Sequence, residues 1–332
     1  MIRFGIVGTG RISDWVLKGA VLDSRFKAVA VCSRSADSAT AFINNHPEVF
    51  PEGAEVFTSI EDLANCENID AVYIGTPNRT HCDYALTCLN AGKHVLCEKP
   101  LACSADEVRK MMEASGRNGK ALMEAMISTV NPNFLAVKSN LGLVGEIRHI
   151  TTHYCQYSTK YDDLKLGKVS NSFNPQMGGG ALADVGIYTV YPIVALLGKP
   201  SNVIVRKTKV DTEFGPTDVQ GNIILEYPTC SATLTYSKAA DSSCPTEICG
   251  DKGNFILDEI HVCHKVEYLP HQAPSSGRGE PAKPEIFSEA LDKDAYYYEF
   301  KEFIDVIEAG LIESKINTQQ TSLEARLIMD ID

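Results

Sequence analysis

A Gly-x-Gly turn between the first strand and the first helix constrains this chain more than any other feature. Ile2–Val7 is a continuous apolar run of buried-strand type, Gly8-Thr9-Gly10 follows, and Asp14–Asp23 reads as a helix. Gly8 permits a tight turn, and Gly10 lets the backbone approach a pyrophosphate, which rests on the amides of the helix N-terminus. The third glycine of such turns is replaced by Ser13, small enough to keep helix and strand close. Elsewhere in a chain the same tripeptide is equally an ordinary turn. Its place here makes Gly8, Thr9, Gly10, Arg11 and Ile12 the expected phosphate-binding residues.

The pattern continues. Strand-like runs at Ala28–Cys32, Ala71–Ile74, His94–Cys97 and Lys120–Glu124 alternate with helical patterns at 36–44, 80–91 and 105–118. Apolar strands alternating with helices predict a doubly wound parallel sheet covered on both faces, an α/β Rossmann domain over residues 1–122. Gly92 and Gly119 sit where helices should end. From residue 123 the pattern changes. Ile147–Tyr154, Val203–Val210, Gln220–Tyr227, Ala232–Ser237, Glu247–Gly250, Asn254–Leu257 and Val262–Leu269 read as half-exposed strands, many with alternating polarity. Helices are expected at 181–197 and 295–309. Residues 123–332 therefore predict an α+β domain with an open, mostly antiparallel sheet and helices on one face. Its other face needs a cover, and a subunit interface is the simplest one. The Pro-, Gly- and Ser-rich stretch 270–284 reads as an exposed loop.

Thirty-one Lys and Arg against 43 Asp and Glu give a net charge of −12, which argues against nucleic acid and against anionic membranes as partners. Eleven cysteines, with no Cys-x-x-Cys pair, suggest no metal site and fit a reducing compartment. The N-terminus enters a strand directly, and no apolar run of membrane-spanning length is expected, so a cytoplasmic location follows.

The end of the second strand bears on cofactor choice. NAD-binding folds place an acid there for the ribose 2′-hydroxyl. This chain has Val31-Cys-Ser-Arg-Ser35, where Ser33 and Arg34 can hold a 2′-phosphate. NADP(H) is expected over NAD(H), the alternative being that Arg34 stacks on the adenine. Gly75-Thr-Pro-Asn-Arg-Thr-His81 lies at the same sheet edge, placing Thr76, Pro77 and Asn78 beside a cofactor. His81 has two readings, a ligand contact or the packing of a helix start. Glu98-Lys99-Pro100 ends the next strand, where Lys99 can hydrogen-bond a reacting oxygen and Glu98 can orient it or hold a ribose. In Gly178-Gly-Gly-Ala-Leu-Ala-Asp-Val-Gly-Ile-Tyr188, Asp184 and Tyr188 lie four apart on one helix face. A tyrosine beside an ammonium is a usable proton donor or acceptor, and Asp184 can accept from a substrate hydroxyl. The alternatives are a surface Lys–Glu pair, a solvated aspartate and a half-buried helix aromatic.

Together these motifs resemble the glucose–fructose oxidoreductase / inositol dehydrogenase (Gfo/Idh/MocA) family over nearly the whole chain. The resemblance rests on Gly8-Thr-Gly10, Ala71-Val-Tyr-Ile-Gly-Thr-Pro-Asn78 with His81, Ala91-Gly-Lys-His-Val-Leu-Cys-Glu-Lys-Pro100, Gly178 through Tyr188, and Glu247-Ile-Cys-Gly-Asp-Lys-Gly253. It implies a Rossmann domain, a second domain with an open sheet, homodimers or homotetramers formed through that sheet, and catalysis at Lys99. Many members carry histidine where this chain has Tyr188. In that respect it resembles the dihydrodiol dehydrogenase, xylose dehydrogenase and glucose–fructose oxidoreductase branch, which tends to use NADP. A Trp-x-Arg element frequent in the dihydrodiol branch is missing from Met-Glu-Ala-Met-Ile-Ser-Thr-Val-Asn-Pro at 123–132. The expectation is hydride transfer between NADP(H) and a sugar, polyol or related compound, with Lys99, Tyr188 and Asp184 as catalytic residues. The alternative is a non-catalytic protein that senses NADP and regulates a partner.

Overall fold

The structure is a computed structural model, and it describes residues 1–271 and 283–332. The glycine-rich part of the 270–284 stretch thus lies outside the described residues. Six parallel strands, β1 (Ile2–Val7), β2 (Phe26–Cys32), β3 (Glu55–Phe57), β4 (Ala71–Ile74), β5 (His94–Glu98) and β6 (Leu122–Ala125), form one sheet in the order β3-β2-β1-β4-β5-β6. Helices α1 (Arg11–Ala20), α2 (Ala36–Asn45), α3 (Ile60–Asn65), α4 (His81–Asn90) and α5 (Ala105–Asn118) connect them. The strand order reverses at β1, which opens a crevice at the carboxyl ends of β1 and β4. Alternate strand residues feed two cores: Phe4, Ile6 and Tyr73 on one face, Val7, Val72 and Ile74 on the other. Local capping agrees with the sequence: the Ser104 hydroxyl accepts from the Glu107 amide to start α5, and Gly119 ends it in the left-handed region. Strand β3 and helix α3 were not expected. The strand is a three-residue edge piece, too short to show periodicity.

The second unit opens with short helices α6 (Ile127–Val130) and α7 (Pro132–Ser139). Strand β7 (Ile147–Cys155), helix α8 (Thr159–Lys165), a π-helical turn at Leu182–Gly186 and helix α9 (Ile187–Leu197) follow. Then come β8 (Asn202–Val210), β9 (Thr217–Glu226), β10 (Ser231–Ser237), β11 (Thr246–Gly250), β12 (Gly253–Leu257), β13 (Val266–Pro270) and β14 (Glu285–Ile286). With β7 they form an eight-stranded sheet, β14-β13-β12-β11-β7-β10-β9-β8, antiparallel except where β7 meets β10. The long excursion through α8, α9, β8 and β9 permits that parallel pairing, since parallel neighbours need a crossover. In register, Val205, Ile223 and Leu234 are buried on one face, while Ile204, Ile224 and Thr233 point to the other and are exposed or half-buried.

One expectation needs correction. The stretch Pro175–Leu197 is long and apolar enough to cross a bilayer by length and composition, with a mean hydropathy of 1.6. Its most apolar window is 67% buried within the protein, as a core helix would be. Its apolar character comes from small residues and β-branched core residues such as Val190, Ile193 and Val194.

The chain ends in α10 (Ala295–Glu308) and α11 (Gln319–Met329). Contacts divide it into Met1–Ile127 with Asp292–Leu327, and Ser128–Leu291 with Ile328–Asp332. This differs from a single division at 122/123. Phe300, Phe303 and Ile304 of α10 are fully buried in the core that holds Phe4 and Phe26. The Phe300 ring lies 5.6 Å from Phe4 and 5.4 Å from Phe26. Helix α10 crosses α1 so closely that a Cβ on Gly19 would stand 2.5 Å from the Tyr297 backbone nitrogen. Amphipathic helices at the end of a chain give no sequence signal of which sheet they cover.

Candidate functional site

In the first unit the glycine turn sits at the carboxyl end of β1. Gly8 has φ +103°, and a Cβ there would stand 2.5 Å from the Gly75 carbonyl oxygen and 3.1 Å from Thr76 Cγ2, so the loop after β4 packs against the turn. The Gly8 amide donates to Cys32 O at 2.9 Å. Ser13 is fully buried and its hydroxyl donates to Gly8 O at 2.8 Å, which ties helix to turn. Gly10 is the N-cap of α1 and provides no side-chain cap, so the amides of Arg11 and Ile12 open the helix without one. A Cβ at Gly10 would meet nothing within 4 Å. Uncapped amides facing open space fit a phosphate-bearing cofactor. At the end of β2 the Thr9 and Ser33 hydroxyls are 3.2 Å apart, and Arg34 is exposed beside them.

The loop after β4 forms a short 3-10 turn over Asn78–Thr80, with the Thr76 and Thr80 hydroxyls 2.7 Å apart. His81 is fully buried. Its Nδ1 lies 2.9 Å from Pro100 O and its Nε2 2.9 Å from Thr76 O. Burial favours the neutral ring and lowers its pKa. A neutral imidazole has one N–H and donates to one of these carbonyls at a time. The residue thus spans the Pro77 loop and the lysine turn.

That turn follows β5 with a cis Lys99–Pro100 peptide. Glu98 is 7% exposed. Its Oε1 accepts from the Tyr73 hydroxyl at 2.9 Å and its Oε2 from the Lys99 amide at 3.2 Å. Burial raises the Glu98 pKa, and the Lys99 charge opposes it. The exit of the turn is held by Glu124, whose Oε1 accepts from the Leu101 amide at 2.9 Å. Burial pushes the Glu124 carboxyl up to about 7, against the pull of Ser322 and the Leu101 amide. Sequence reasoning noted Met-Glu-Ala without giving Glu124 a role; only the tertiary contact with the turn identifies it.

In the second unit Asp184 lies within the π turn and Tyr188 opens α9. Gly180, at φ +131°, brings the backbone against Asp218, whose Oδ2 accepts from the Leu182 amide at 2.7 Å and starts the helical segment. Asp184 makes an ion pair with Lys238, a residue sequence reasoning did not single out. The Lys238 side chain is 5% exposed and its ammonium lies 4.5 Å over the Phe173 ring, whereas the Asp184 side chain is 39% exposed. The aspartate thus has a buried partner on one side and is itself part-exposed. Tyr188 is half-buried in an aromatic cluster: its ring meets Tyr154 edge-on at 5.4 Å and His261 at 6.1 Å, and Tyr154 stacks on His261 at 4.4 Å. Tyr154 comes from β7 and His261 from the loop after β12, so no local spacing announces them. Among the described residues, no three His, Cys, Asp or Glu gather as a metal site.

Comparison with known proteins places both halves of the chain. Residues 2–126 match the oxidoreductase family with an NAD-binding Rossmann fold, and residues 140–256 match the GFO/IDH/MocA C-terminal domain. The chain is 38% identical over 330 residues to the scyllo-inositol 2-dehydrogenase (NADP(+)) IolU of Bacillus subtilis, covering 99% of this chain and 95% of that protein. It is 31% identical over 287 residues to the trans-1,2-dihydrobenzene-1,2-diol dehydrogenase of Macaca fascicularis, covering 78% of this chain and 81% of the relative. Among solved structures, the 3-ketoreductase KijD10 of Actinomadura kijaniata, crystallised with NADP and TDP-benzene, has the same fold. The TM-score is 0.79 at 21% identity, covering 99% of this chain and 96% of that one. With both halves matched and a nucleotide turn of the right build, the chain belongs to the Gfo/Idh/MocA family of oxidoreductases.

Proposed function

We propose that the protein is an NADP(H)-dependent oxidoreductase that moves a hydride to or from the CH–OH carbon of a sugar, ring polyol or related compound. One observation carries the cofactor choice: β2 ends in the Thr9–Ser33 hydroxyl pair and an exposed Arg34 where an NAD site would have an acid. The NADP(+) in the name of the Bacillus subtilis relative supports it. The two curated relatives are named for ring carbons bearing hydroxyls, an inositol and a dihydrodiol, which supports a cyclic polyol as substrate.

The nicotinamide, when bound, supplies the hydride donor or acceptor. The residues of this chain do the rest. Arg11 and Ile12 amides, with Gly8, Thr9 and Gly10, hold the pyrophosphate, and Ser33 and Arg34 hold the 2′-phosphate. Thr76, Pro77 and Asn78 line the ribose, while His81 and Glu98 support that loop and the lysine turn. Lys99 hydrogen-bonds the reacting oxygen, Tyr188 exchanges its proton, and Asp184 accepts from a substrate hydroxyl. The eight-stranded sheet, with Ile204 and Ile224 on its outward face, is read as the homodimer or homotetramer surface of a cytoplasmic enzyme. Light scattering of the purified chain tests the assembly.

Turnover of NADP+ with scyllo-inositol and related ring polyols, and of NADPH with the matching ketones, tests the activity. Lys99→Ala and Tyr188→Phe should each lose at least about 100-fold in kcat. Near wild-type rates in both would end these assignments. Tight NADPH binding without turnover of any compound in the panel would favour the cofactor sensor instead.

A further inference from the structure

Under Lys99 lies an acid that the reaction does not account for. Glu299, on α10, is completely buried, and among the described residues it is the only carboxylate with both oxygens buried and without a hydrogen-bond partner. It precedes Phe300, whose ring packs 5.8 Å from Tyr73. Tyr73 in turn donates to Glu98. Glu299 therefore borders the polar cluster that ends in Lys99, and its electrostatic neighbours are Glu98 and Lys99 of β5 and the turn after it. Tyr73 of β4 feels Glu98, Glu299 and Tyr296 of α10; Glu98 is further coupled to Glu124 of β6, which Arg326 of α11 faces.

Two carboxyls share this cluster, and their surroundings differ. Glu98 receives a donor on each oxygen, from the Tyr73 hydroxyl and the Lys99 amide. That is the environment of a carboxylate. Glu299 receives none, and a buried carboxylate without donors or an ion-pair partner is far costlier than the neutral acid. Like charges at close quarters also leave one proton on a carboxyl pair. Burial first, then the Glu98 charge, raises the Glu299 pKa well above its ordinary value, in the same direction.

We propose that Glu299 is a positioning residue for Lys99: a neutral carboxylic acid that packs beside the Glu98 carboxylate, so that the cluster beneath the lysine carries one negative charge rather than two. The proposal rests on the role of Lys99 given above, but its first two tests do not. Infrared difference spectra of wild type minus Glu299→Gln at neutral pH should contain the carbonyl band of a protonated acid, shifted in heavy water. If the band is missing, or disappears in Glu98→Gln and not in Glu299→Gln, the assignment is overturned.

Stability against pH gives a sign. A group neutral in the folded chain and ionised in the unfolded one stabilises fully at acid pH and loses that contribution as pH rises. Glu299→Gln has no proton to lose, so its melting temperature should gain on wild type between pH 5 and pH 8. A difference between variant and wild type that stays flat over that range would mean a Glu299 ionised in the folded chain, and the proposal fails.

The kinetic arm completes the test. Glu299→Ala should lower kcat about tenfold, as misplacement of a reacting group does, with KM for NADP unchanged, and Glu299→Gln should restore it. Equal loss in both variants would show that the acid itself is needed, and unchanged kcat in Glu299→Ala that it positions nothing. If Lys99→Ala were active but the band and pH sign held, the functional reading would fail while the neutral acid stood.

Discussion

The two units hold their candidate chemistry by opposite means. In the first, the backbone does the placing: the Gly8 turn, the uncapped start of α1 and the cis Lys99–Pro100 peptide are each set by a few consecutive residues. In the second, partners far apart in sequence do it: Asp184 with Lys238, and Tyr188 with Tyr154 and His261. The first kind of site is written as a motif and the second as a fold. A chain can therefore advertise its cofactor and hide its substrate.

The sharpest way to test that contrast is the Asp184–Lys238 pair, because its two ends are unequally buried. Asp184→Ala leaves the Lys238 ammonium buried without its carboxylate and should cost about 3–5 kcal/mol of stability. Lys238→Met leaves a part-exposed aspartate and an apolar side chain over Phe173, at about 1 kcal/mol. Denaturant titrations of both decide it; equal losses would mean that the pair is not organised from its buried end.

The first unit holds a carboxyl that should make its stability answer to pH near neutrality. Glu124 titrates at about 7 in the fold and near 4.3 when unfolded. A raised folded value means that its stabilising contribution is complete below about pH 4 and fades as pH rises through 7, by about 4 kcal/mol in all. Glu124→Gln should flatten that part of the stability–pH curve while keeping an acceptor for the Leu101 amide. An unchanged slope would remove Glu124 from the account.

Smaller effects probe the nucleotide turn. Gly8→Ala forces a Cβ toward the Gly75 carbonyl at a positive φ, which should cost about 2 kcal/mol and weaken NADP binding, measured by fluorescence titration. Arg34→Ala should leave stability unchanged and raise KM for NADP roughly tenfold, with KM for NAD unaltered. An NADP preference that survives this substitution would return Arg34 to the role of an adenine stack.

Legibility followed the same division. Every long strand of the parallel sheet was readable because strands buried on both faces are continuous apolar runs, and α5 carries Ser104 and Gly119 at its ends. The edge strand Glu55–Phe57 was not, because three residues have no period. Lys99, Asp184 and Tyr188 could be named from Glu-Lys-Pro and the glycine-rich helix start. Lys238, at the end of β10, looked like any lysine after a strand, since its ammonium lies over the ring of Phe173, 65 positions upstream. The π turn at Leu182–Gly186 was equally invisible, for Ala, Asp, Val and Gly are compatible with an ordinary helix.

The return of α10 to the first sheet has a consequence for biosynthesis. The core around Phe4 and Phe26 is incomplete until Phe300, Phe303 and Ile304 arrive. A ribosome will have emitted the entire nucleotide turn long before the residues that seal its scaffold exist. Maturation of the first unit therefore waits until residues 300–304 have been made, and a nascent chain halted between the two sheets carries a readable cofactor motif on an unfinished body.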